Sequence, residues 1–174
     1  MMSDIVLETP RLRLRPHRPS DHAASLALWA EPEVFRHITG QPIGAEDMWH
    51  RVLRFIGHWA AFGYGMFVAE DRATGQMLGE IGLADFHRGL GPDFDGAPEA
   101  AWVLGPWAHG RGLAREGMDA VLAWAAMRLG PARTVAIVSP LNAPSVALAR
   151  RLGYEAMRTA TYREGPVILF ERMG

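Results

Sequence analysis

The stretch EAAWVLGPWAHGRGLAREG, from Glu99 to Gly117, changes its period half-way along. Glu99 to Leu104 is a short, mostly apolar run of strand length. From residue 112 onward, apolar residues at 114, 118, 121, 122, 125 and 129 recur at helical spacing until Gly130-Pro131 stops them. Gly105, Gly110 and Gly112 lie between, and Thr134 to Val138 reads as a further strand. A strand handed through a glycine turn to a long helix and back to a strand demands a crossover over a sheet. The turn also presents backbone N–H groups at a helix start, where the helix dipole favours an anion. Two anion loops fail on counting. A P-loop needs Lys and Ser or Thr after its second glycine, but Arg111 and Gly112 follow Gly110. A dinucleotide fingerprint needs a third glycine where Arg115 stands.

The rest of the chain supplies the sheet. Residues 5 to 15 alternate in polarity as a strand with one wet face. Ser20 or Asp21 caps a helix running to about Trp29 and ended by Pro32, and residues 46 to 60 form a second helix before Gly63 and Gly65. Met66 to Glu70 and Met77 to Leu83 form a hairpin on the Asp71-to-Gly75 turn. A long loop runs from His87 to Pro98, a helix from Asn142 to Leu152, and strands from Tyr154 to Thr161 and Val167 to Arg172. The expected fold is a mixed α/β layer structure, a largely antiparallel sheet with crossover helices. At 174 residues the chain is read as one domain over residues 1–174.

Composition narrows the chemistry. With no cysteine the chain can form neither a disulfide nor a thiolate zinc site nor a cysteinyl acyl-enzyme. A net charge of −1 gives no basic footprint for nucleic acid and no polybasic membrane patch. The amino terminus lacks an apolar core of leader length, so a cytoplasmic location is expected. No histidine pair has metal-ligand spacing with an acidic partner, and no metal is expected. The six tryptophans read as core and cleft-wall residues.

This order of elements resembles the GNAT acetyltransferase superfamily, whose acyl-CoA motif is Q/R-x-x-G-x-G/A. His109-Gly-Arg-Gly112-Leu-Ala114 matches it from the fourth position onward, with His where the family has Gln or Arg. The opening LETPRLRLRP, the Glu99 strand before a Trp-containing turn, GLAREGMDAVL and NAPSVALARRLGYE are similar to the RimJ/RimL branch, which acetylates ribosomal-protein amino termini. The resemblance covers nearly the whole chain. It implies a GNAT-like fold, acetyl-CoA as co-substrate and an amine acceptor, either a peptide amino terminus or a small molecule. A homodimer is allowed for.

The resemblance also assigns residues. Val103, Leu104, His109, Gly110, Arg111, Gly112, Leu113, Ala114 and Arg115 would hold the cofactor, the glycines and Ala114 by letting phosphates approach the backbone. Asn142 reads both as an N-cap and as a contact to the pantetheine arm. Ser145 would sit near the sulfur. It is the candidate to protonate the leaving thiolate, since Ala149 stands where many members carry a tyrosine acid. Glu99 reads equally as a water-relayed general base and as a solvent-facing strand residue. Asp93 and Asp95 could draw in a cationic amine or merely decorate a loop, and His87 and His109 are further candidate bases. The expected reaction is acetyl transfer to a primary amine by direct attack in a ternary complex. The other class left standing is a non-catalytic acyl-CoA-binding module.

Overall fold

The computed structural model describes residues 5–174, so part of the amino terminus read as leaderless lies outside the described residues. Thr9 interrupts the first alternating segment. Its hydroxyl accepts from the Leu12 amide at 2.9 Å, folding the segment into β1 (Leu7–Glu8) antiparallel to β2 (Leu12–Pro16). Leu12 and Leu14 turn into the core. Arg15 is buried as well, because Asp21 and Glu70 each meet its guanidinium, at 2.8 and 2.7 Å.

After α1 (His22–Leu28), Pro32 does not end a helix as the sequence suggests but opens a short one, α2 (Pro32–Phe35). Proline tolerates a first helical turn because no N–H is needed there. α3 (Ala45–Phe62) stops at Gly63, and β3 (Met66–Asp71) and β4 (Met77–Ala84) form the expected hairpin. β5 (Glu99–Leu104), α4 (Leu113–Leu129), β6 (Thr134–Val138), α5 (Ala143–Arg151), β7 (Glu155–Tyr162) and β8 (Gly165–Arg172) complete the chain.

The eight strands form one sheet in the order β1-β2-β3-β4-β5-β6-β8-β7. Every neighbouring pair is antiparallel except β5 and β6, which the α4 crossover makes parallel. The fold is therefore the mixed, largely antiparallel α/β arrangement anticipated above. The main core gathers Leu12, Ile81, Leu83, Leu104, Met118 and Val121 between the sheet and α4. Gly117 lets α4 settle on β4, since a Cβ there would lie 2.2 Å from the Ile81 side chain. A second cluster packs α1 and α3 on the opposite face, around Trp29, Met48, Val52 and Val103. Leu129, assigned to the buried stripe of α4 by its spacing, is exposed at the end of that helix.

Candidate active site

β5 keeps six residues in register with β4 but touches β6 in register only at Glu99 and Val135. The Val135 amide donates to the Pro98 carbonyl at 3.0 Å. Strand alternation then turns the main-chain groups of Trp102 and Leu104 toward β6 and those of Ile137 toward β5. Beyond the single bridge these groups face a gap. His109 Nε2 lies 2.8 Å from the Leu104 carbonyl, which it caps. Val103 has the opposite parity: its backbone faces β4, and its side chain is buried against α1 and α3.

Both helices that follow these strands begin at the mouth of the gap. Gly112 is the N-cap of α4 at φ 71, in the left-handed region where a side chain is strained, and no side chain caps that end. The first-turn amides, down to Arg115, have no partner within the helix. Leu113 anchors the turn in the core, and Ala114 packs against it. Arg111 is exposed, and Arg115 reaches Asp119 at 3.6 Å. At the start of α5, Asn142 Oδ1 accepts from the Ser145 amide at 3.3 Å. The Trp102 indole spans from β5 to donate to Ser145 Oγ at 3.3 Å. Ala149 is fully buried one turn behind. The Tyr154 hydroxyl is bonded to Thr134, and burial pushes its pKa up to about 12.

A strap from the amino-terminal region fixes the glycine turn. Arg11 donates to the Arg111 carbonyl at 2.8 Å and through Nε to Glu116 at 2.7 Å. The Thr9 hydroxyl reaches the same carboxylate at 2.7 Å. Burial would raise the Glu116 carboxyl, but the Thr9 and Arg11 bonds outweigh it and hold the group below its ordinary value.

On the other face of β5, Glu99 is only 3% exposed, which removes the solvent-facing reading. Arg88 grips both carboxylate oxygens, at 2.7 and 2.8 Å, donates to the Tyr162 hydroxyl at 3.0 Å and lies over the Phe86 ring. Burial pushes the Glu99 carboxyl up, and the Arg88 bonds only partly oppose this. Asp93 and Asp95 are not free to draw in an amine. Asp93 is clamped by Arg158 at 2.8 Å, and Asp95 accepts from the Gly91 amide at 3.0 Å, so both brace their loop. The His87 side chain is exposed, with its nearest acid, Asp85, at 3.7 Å.

Residues 11–155 match the model of the acetyltransferase (GNAT) domain. The chain belongs to the GNAT acetyltransferase family. A protein described as a GNAT-family acetyltransferase from Bordetella pertussis is 34% identical, with a TM-score of 0.88 over 97% of this chain and 99% of that one. An acetyltransferase from Agrobacterium tumefaciens is 29% identical, with a TM-score of 0.81 over 98% and 95%. RimL, a ribosomal L7/L12 alpha-N-protein acetyltransferase solved with coenzyme A, is 17% identical and shares the fold at a TM-score of 0.78 over 97% and 98%.

Within this GNAT fold, the residues singled out in the sequence fall into two groups. Leu104, His109 to Arg115, Asn142 and Ser145 ring the gap, whereas Glu99 sits beside its inner end on the opposite face. Arg88, Arg11 and Glu116 were not anticipated. Each acts across the sequence, Arg11 on a partner 105 residues away, and no local spacing marks such a pair. A second buried network also escaped notice. Glu80, in register with Val103, meets His17 at 3.1 Å, Ser25 at 3.2 Å, Trp29 at 3.0 Å and Arg51 at 3.3 Å.

Proposed function

We propose that the protein transfers an acetyl group from acetyl-CoA to a primary amine by direct attack within a ternary complex. The observation that carries this reading is the gap between β5 and β6 with the starts of α4 and α5 at its mouth. The unpaired main-chain groups of Trp102 and Ile137, with the Leu104 N–H, suit the pantetheine amides, which would add to the sheet as a strand does. The amides from Gly110 to Arg115 suit the pyrophosphate, with Arg111 or Arg115 adding charge. Acetyl-CoA supplies an activated acyl group on a moderately good leaving thiolate.

The chain's own residues then divide the work. The Leu104 N–H, aimed into the gap, would stabilise negative charge developing on the acyl oxygen. Asn142 shapes the start of α5, and Ser145 Oγ would deliver a proton toward the sulfur. Glu99, through a water, would take the proton from the amine, and Arg88 holds its carboxylate in position. An α-amino group costs about 1 kcal/mol to deprotonate at pH 7, and a lysine over about 4. A relayed carboxylate therefore suits amines of lower pKa. An acyl-CoA-binding module without turnover shares the gap and the turn, but not the reason for a buried, clamped carboxylate beside them.

The test is acetyl-CoA binding by calorimetry together with coenzyme thiol release over a broad amine panel. Gly112→Leu should abolish both while the circular dichroism spectrum is retained. Undiminished affinity in that variant would overturn the placement, and binding without turnover on every amine would leave the non-catalytic module.

A further inference from the structure

Beside Glu99 lies a small, open cleft lined by Arg54, Phe55, His58, Ala84, Asp85 and Phe86. Ala84 is the β4 partner of Glu99, so the two side chains share a face of the sheet, and Phe86 carries the Arg88 guanidinium. His58 is held as a neutral imidazole of one tautomer. Its Nε2 accepts from the Asp85 amide at 2.9 Å, so its Nδ1–H donates to the Tyr64 carbonyl at 2.8 Å. It therefore offers neither a proton nor a lone pair to the cleft. The charges that remain come from arginines and Asp85.

Arg51 and Arg54 both lie over the Phe55 ring, at 4.7 and 5.4 Å, and Arg88 and Arg163 both lie over Tyr162, at 4.9 and 5.4 Å. Arg51 is committed to Glu80, and Arg88 to Glu99. Arg54 is exposed at the rim of the cleft and makes no hydrogen bond or ion pair among the described residues. Although the side chain reaches solvent, partial desolvation of its guanidinium, then the charges of Arg51 and Arg88, push it below its ordinary value. An exposed, unpaired guanidinium beside other cations is free to take an anion from a ligand entering the cleft, and its fork suits a carboxylate. Asp85 stands at the other side of the same cleft, near Glu99, where an ammonium would be welcome.

We infer that the acceptor is an amine carrying its own carboxylate, with the carboxylate bound by Arg54 and the amino group led past Asp85 toward Glu99. The inference deepens the acetyl-transfer reading and rests on it. The cleft is small and open to solvent, so it can take no more than a free amino acid or a single acidic terminal residue.

The experiment compares matched pairs: free amino acids against their carboxamides, and peptides opening with Asp or Glu against those opening with Asn or Gln. Amidation lowers the basicity of an α-amine, so without Arg54 recognition the carboxamide should react faster. Preference for the carboxylate in either set supports the inference, and the set that shows it identifies the source. Arg54→Gln should raise KM for the preferred acceptor about ten- to a hundredfold and erase the preference, with acetyl-CoA affinity unchanged and Arg54→Lys partly restoring it. Turnover without preference, or equal losses within each pair, overturns the inference and leaves acetyl transfer standing. Arg54-dependent calorimetric binding of the carboxylates without thiol release upholds the cleft assignment and defeats the reaction instead.

Discussion

At the scale of single residues, Glu99 is the most informative. Its environment is divided: burial favours the neutral acid, while Arg88 favours the carboxylate. Because the folded-state pKa lies above the ordinary 4.5, the acid limb of kcat/KM should fall at a pH higher than a free carboxylate would give. Glu99→Gln should remove that limb and lower kcat about 10²- to 10⁴-fold on an amine protonated at neutral pH, with the deficit shrinking as pH rises. Normal turnover in that variant would return Glu99 to a structural role. Arg88→Lys keeps a charge but loses the two-pronged grip, so it should lower kcat and leave acetyl-CoA affinity alone. Ser145 already receives a hydrogen bond from Trp102, so its hydroxyl has a fixed orientation. Ser145→Ala should reduce turnover without abolishing it, and an unchanged kcat across pH would confine the hydroxyl to helix capping.

At the scale of elements, Glu80 ties β4 to α1, α3 and the end of β2. Burial would raise this carboxyl, but the Arg51 charge and the His17 and Trp29 bonds hold it well below its ordinary value. A lowered folded-state pKa gives stability that is present above 4.5 and lost as pH falls through the folded value. The thermal midpoint should therefore drop below about pH 4.5. Glu80→Gln should flatten that acid limb and lower stability at neutral pH by about 3 kcal/mol or less, because the half-buried Arg51 loses its charge partner. A retained acid limb in that variant would assign it to Asp21 or another carboxylate.

The elements themselves were largely legible. Period and turn chemistry mark β5, β6 and α4 almost to the residue. Pro32 misled because proline both ends and begins helices, and only the tertiary path decides between them. Leu129 misled because its spacing fits the stripe, yet as the last residue of the helix it stays partly open to solvent. The Glu80 network was invisible, since its members come from α1, α3, β4 and the residue after β2 and share no local pattern.

For the whole molecule, the sheet consists of two panels, β1 to β5 and β6-β8-β7, joined in register at a single position, Glu99 to Val135. The crossover order of the elements could be read from the sequence. The parting of β5 and β6 could be inferred only from the resemblance, because nothing in AAWVL or TVAIV marks where pairing stops. Hydrogen exchange offers the check. Adding acetyl-CoA should slow exchange at Trp102, Leu104 and Ile137 more than at Ile81 in the intact panel. Uniform protection across both panels would place the ligand elsewhere. A joint with one rung works as a ladder left unfinished for a guest to complete. Occupancy and mechanical integrity then become one quantity: at a hundredfold excess over Kd, the guest adds about 2.7 kcal/mol to the stability of its host. Substitutions far out on the β7 panel, such as at Arg158, would then change the apparent affinity for a ligand they never touch.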